Sequence, residues 1–148
     1  MTNKTSRVVY WVFTLLFVVP QVWSAIQYFI EAPRMMETMT HLGYPAYFPK
    51  ILGVAKLLGA AALLYPAMPT LKEWAYAGFT FDVLGASASH LASGDPIYIA
   101  LVPIGFLALL VVSYLSWKRL QHGSIRASFQ HREQRVSPFG GRARPAST

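Results

Sequence analysis

Between Arg7 and Glu31 the chain runs for 23 residues without a charge, and between Asp95 and Lys118 for another 22. Each run is long enough to cross a hydrocarbon core about 30 Å thick as a helix. Such runs leave few folds open, because in lipid every backbone polar group must be satisfied inside the protein, and a helix does this within one segment. Two shorter apolar stretches lie between them, at about residues 49–65 and 74–91, each broken by one charge, Lys56 and Asp82. The expected fold is therefore all-α, a transmembrane four-helix bundle with helices at about 8–30, 49–65, 74–91 and 97–117. The 148-residue chain is 54% apolar and only 13% charged, about half the charge of a soluble domain.

The first span imitates a cleavable secretory signal, with Lys4 and Arg7 before the apolar run and Pro20, Ser24 and Ala25 within it. A cut after Ala25 would set bulky Trp23 where a small residue is wanted, and the run continues through Ile30. A retained helix is expected. Pro20 and Pro103 fall in the middles of the first and last spans, where kinks are expected.

Four spans put both termini on one side. That side collects Lys4, Arg7, Lys72, Lys118, Arg119, Arg126, Arg132, Arg135, Arg142 and Arg144, against Arg34 and Lys50 on the other. The excess of Lys and Arg predicts cytoplasmic termini, and a bacterial inner (plasma) membrane is the expected location. Pro66 to Pro69 reads as a tight inner turn and Ser93-Gly94-Asp95-Pro96 as a tight outer one, so the last three spans are expected as sequential antiparallel neighbours. The first outer connection is longer, with a short amphipathic piece at residues 34–41. Residues 1–120 form the expected membrane domain. Residues 121–148 read as a disordered, basic cytoplasmic tail resting on anionic lipid, with no nucleic-acid partner expected.

Lys56 and Asp82 both fall near the middle of a span. Facing lipid, each costs about 2.5 to 3.5 kcal/mol. Small residues flank both: Gly53, Gly59 and Ala60 around Lys56, and Gly78, Gly85 and Ala86 around Asp82. Close helix approach then lets the two side chains meet. A Lys56–Asp82 intramembrane pair is expected, serving either helix register alone or a substrate contact or proton relay.

A second polar set occupies the outer half. Gln21, Ser24, Gln27 and Glu31 share one face of the first helix, and Ser89 and His90 lie at the same depth on the third. With Tyr44 at the rim they form a candidate pocket, the alternative being ordinary interhelical hydrogen bonding. His90 either hydrogen-bonds a ligand such as a quinone carbonyl or is a satisfied interfacial histidine. The chain has no Cys, which excludes disulfides, cysteine-ligated metal centres and covalent haem. No metal site is expected, and a quinone is the one cofactor under consideration.

Several runs resemble the DoxX-like family of small four-helix membrane proteins. They are Leu42-Gly43-Tyr44-Pro45-Ala46-Tyr47-Phe48, the stretch Ile51-Leu52-Gly53-Val54-Ala55-Lys56-Leu57-Leu58-Gly59-Ala60, then Leu71-Lys72-Glu73-Trp74-Ala75-Tyr76-Ala77-Gly78 and Gly85-Ala86-Ser87-Ala88-Ser89-His90. The resemblance spans about residues 8–120. It implies the four-helix fold and an association with quinone-linked membrane oxidoreductases, and assigns no chemistry to any residue. Three functions stay open: an accessory or assembly subunit of a membrane oxidoreductase system, a membrane protein that binds or transports a small molecule or quinone, and a membrane enzyme acting on a lipidic substrate with Asp82, His90 or Glu31 as acid or base. The expected partners are the lipid bilayer, membrane or oxidoreductase subunits, and a second copy of the chain.

Overall fold

The computed structural model describes residues 3–136, and the described residues form five helices and no strand. These are α1 (Asn3–Phe29), α2 (Pro33–His41), α3 (Phe48–Leu64), α4 (Pro69–Ala92) and α5 (Ile97–Val136). Pro stands in the first turn of α2, α3 and α4, where its missing N–H is no loss and its fixed φ suits the helix. α3 ends at Tyr65, which is extended (φ −84°, ψ 114°) as the residue before Pro66 must be.

Three helices stop in the same way. A residue in the left-handed region follows α1, α2 and α4: Glu31 (φ 51°), Gly43 (φ 79°) and Gly94 (φ 77°). The next amide then reaches back five residues, Ala32 to the Gln27 carbonyl (3.0 Å), Tyr44 to that of Met39 (3.0 Å) and Asp95 to that of His90 (3.1 Å). Each bond satisfies a carbonyl that a helix end would otherwise leave unpaired.

α1, α3, α4 and α5 pack in a ring in which α1 lies along both α3 and α5, and α4 closes the far side against the same two. α2 touches α1 alone in any extended way. The expected sequential neighbours, α3 with α4 and α4 with α5, are observed. Inside the ring, Phe17, Leu63, Val83 and Leu110 are buried together with Phe79, whose ring meets Phe17 edge-on at 5.0 Å. α1 contributes Tyr10, Thr14, Phe17, Gln21, Ala25 and Tyr28 to the interior at steps of three and four residues. Its N-terminal end lies level with the end of α3, the start of α4 and residue 117 of α5, since Tyr10 reaches Leu63 and Lys72 and Lys72 lies over the rings of Tyr10 and Trp117.

α1 and α5 are long and apolar enough to cross a membrane, yet only 33% and 17% of their apolar windows are buried inside the protein. A core helix of a soluble protein would bury far more of such a stretch.

Two sequence expectations change. The helix after the Pro66 turn begins at Pro69, five residues before the expected start, so Lys72 and Glu73 are helical, and Lys72 is only 3% exposed. Pro at the first position had the signal for this start. The last helix does not stop near residue 117. It continues to Val136, so residues 121–136, expected to be disordered, are helical, and residues 137–148 lie outside the described part. Lengthening a formed helix needs no new nucleus, and no proline intervenes before Pro138.

A Cβ at Gly43 or Gly78 would meet nothing within 4 Å, so backbone conformation alone separates these two sites. Gly43→Ala should destabilise by about 1 to 2 kcal/mol, and Gly78→Ala, within α4, should stabilise by roughly 0.5 to 1 kcal/mol. Thermal denaturation in detergent reads both.

Candidate functional site: a charged floor under a lateral cleft

Lys56 lies on the inward side of α3 and is 7% exposed. Its Nζ donates to Asp82 Oδ2 of α4 and to Gln21 Oε1 of α1, each at 2.5 Å. The expected pair is thus a triad that joins three helices. Asp82 balances the charge, and Gln21 supplies a neutral acceptor on the opposite side. An ammonium has three N–H donors, and this one keeps a third.

Above the ion pair a cleft of about 430 Å³ opens between α3 and α4. Leu52, Ala55 and Gly59 form one wall, Trp74, Gly78 and Phe81 the other, and Lys56 and Asp82 line it as well. Trp74 and Phe81 are each 76% exposed, so the cleft opens sideways, onto the face of the bundle. Gly59 is needed for this geometry. A Cβ there would stand 2.8 Å from Cε2 of Phe79, a distance that forces the ring to move. The cleft is therefore an apolar slot with one charged, hydrogen-bonding end, the arrangement of small-molecule sites in general.

Of the seven residues expected to share an outer pocket, Tyr44 and Ser89 meet directly, and the others are placed as follows. Gln21 belongs to the triad. Ser24 is half-buried, one turn before the buried Tyr28 on α1. Gln27 is half-buried, and its carbonyl closes the end of α1. Glu31 points outward to Lys50, 2.6 Å away; that ammonium holds its carboxyl below the usual range.

Tyr44 and Ser89 meet at 2.5 Å, and Ser89 Oγ also donates to the Gly85 carbonyl at 2.8 Å. Tyr44 therefore donates to Ser89. Its ring stacks on Phe48, with centroids 4.4 Å apart. His90 pairs with Asp95. Its Nδ1 is 2.7 Å from Asp95 Oδ2, while His41 Nε2 of α2 takes Asp95 Oδ1 at 2.8 Å. The turn at Gly94 brings Asp95 back over the end of α4, so one carboxylate clasps two histidines and ties α2 to the α4–α5 turn. Both hydrogen bonds hold the Asp95 carboxyl below its usual range.

A further cluster had no signal in the sequence beyond scattered polar residues. Lys72 donates to the Tyr10 hydroxyl (2.8 Å), which donates to the Leu63 carbonyl (3.2 Å). Ser113 joins Thr14 at 2.6 Å and Tyr76 at 2.8 Å. Among the described residues no group of three or more His, Cys, Asp or Glu is placed to hold a metal ion.

The profile of the DoxX-like family matches residues 12–113, more than half of the chain. The chain belongs to the DoxX-like family. All three members of the triad and every residue of the cleft fall inside the matched segment. No curated protein and no solved structure matches this DoxX-like chain. With the two membrane-length helices and their largely unburied apolar surface, the family makes this a membrane protein.

Removing one partner of the triad strands the other charge. Lys56→Met or Asp82→Asn alone should destabilise by roughly 3 to 5 kcal/mol, and the double variant should recover much of the loss. Denaturation of the purified variants in detergent tests the coupling; additive losses would show that the two groups do not act together.

Proposed function

We propose that this DoxX-like protein holds a small lipophilic molecule bearing a carbonyl or hydroxyl group, with a quinone as the best-fitting class, in the cleft between α3 and α4. The observation that carries this reading is the meeting of an apolar, laterally open slot with the third donor of Lys56. A carbonyl oxygen accepts from that N–H, and a ligand hydroxyl, as on a quinol, donates to Asp82. The apolar part lies against Leu52, Trp74 and Phe81 and enters from the bilayer without crossing water. Such a protein serves as an accessory component of a membrane oxidoreductase system by keeping the carrier beside its partner.

Trp74 forms part of the wall, which makes it a reporter. A short-chain benzoquinone titrated into the detergent-purified protein should quench tryptophan fluorescence saturably, and Trp74→Phe should remove most of that response. Lys56→Met, losing a charged hydrogen bond, should weaken binding about tenfold or more. Quenching that does not saturate, or that ignores both changes, overturns the reading.

In the membrane, α3 and α4 cross the bilayer together with α1 and α5, and both termini are cytoplasmic. The ten-to-two distribution of Lys and Arg supports this orientation. Lys72, although helical, stays at the terminal end through Tyr10 and Trp117. Reporter fusions after Gln121 should register the cytoplasm, and fusions at Gly94 the opposite compartment.

A further inference from the structure

α1 and α5 pack along most of their shared length, but near the termini they part around a second cavity of about 290 Å³. It is lined by Ser6 and Val9 of α1 and by Val112, Leu115, Ser116 and Arg119 of α5. Steps of three and four residues place each set on one stripe of its helix. Val112 and Arg119 are two turns apart, so about 10 Å of groove runs from an apolar floor to a cationic rim. Arg119 and Ser6 supply donors at the rim, and Val9, Val112 and Leu115 supply the apolar wall.

Lys4 and Arg7 add exposed positive charge at the same end of α1, and Glu73, at this end too, is engaged by Lys118. We infer that this groove seats one anionic glycerophospholipid from the leaflet on the side of the termini, its phosphate on Arg119 and Ser6 and an acyl chain on Val9, Val112 and Leu115. A guanidinium pairs with phosphate through two parallel N–H bonds, and basic pockets between membrane helices are suited to anionic headgroups. A free phosphate would use the rim and leave the apolar wall without a function. The seat is separate from the α3–α4 cleft and does not rest on the reading given for it.

The basic residues beyond Arg119 also attract anionic lipid, so the test has to separate seat from general attraction. The full chain, purified in detergent, is mixed with phosphatidylglycerol or phosphatidylcholine of the same acyl composition and examined by native mass spectrometry. One phosphatidylglycerol should be retained in preference to phosphatidylcholine. Arg119→Gln should lower its retention about fivefold, whereas Arg34→Gln should not. Val112→Trp fills the groove with every charge kept and should lower retention to a similar degree; should that variant fail to fold, Arg119→Gln decides alone. Equal retention of the two lipids, unchanged retention in Arg119→Gln, or full retention in a folded Val112→Trp overturns the inference. So does displacement of the lipid by inorganic phosphate at millimolar concentration, which would mean that the headgroup site acts without the groove.

Discussion

An ammonium and a carboxylate set among apolar helices must meet each other, and the contact of Lys56 with Asp82 is the constraint around which the bundle is organised. Their attraction grows as water is excluded, but so does the cost of removing each from water. The balance is favourable only when the remaining donors and acceptors find partners. Gln21 provides one such partner. Because that residue lies on α1, the ion pair between adjacent helices α3 and α4 also sets the rotation of α1, which packs against α3 and α5.

The rest of the interior respects this arrangement. Phe17 and Phe79 pack edge to face beside Leu63 and Leu110, an apolar layer between the triad and the hydroxyl cluster of Thr14, Ser113 and Tyr76. Lys72 completes that inner half without a carboxylate among its described partners; it hydrogen-bonds Tyr10 and lies over the faces of Tyr10 and Trp117, whose ring quadrupoles attract a cation. At the other end Asp95 ties two histidines together. Charge is thus satisfied differently at three depths: by two histidines, by a countercharge and an amide, and by aromatic rings.

The same constraint explains where a ligand can act. The cleft lies between α3 and α4 where Gly59 leaves room for the Phe79 ring, with bulky Trp74 and Phe81 at its edge. Its charged end is held by Gln21 of a third helix, α1, and so is fixed before any ligand arrives, which lowers the cost of ordering on binding.

Much of this was legible in the amino-acid sequence. Uncharged runs of membrane length dictate helices, because lipid offers the backbone no partner. Lys56 and Asp82 stood out because a single charge in such a run is costly, and their equal depth in an antiparallel pair forced the expectation that they meet. Gln21 was legible as polar and inward, but its choice of Lys56 over a pocket with Gln27 and Glu31 depended on the rotation of α1, which periodicity leaves undetermined. His90 went to Asp95 because the left-handed Gly94 folds the chain back over the helix end, a local event with a tertiary result. Lys72 looked like a loop charge and is buried, since only packing shows that Tyr10 and Trp117 close over it. Sequence determined which residues must be inside and at what depth, through the cost of exposing backbone and charge to lipid. The tertiary structure alone decided which of them touch, because contacts between helices depend on rotation and crossing, and these are set by packing of side chains far apart in the chain.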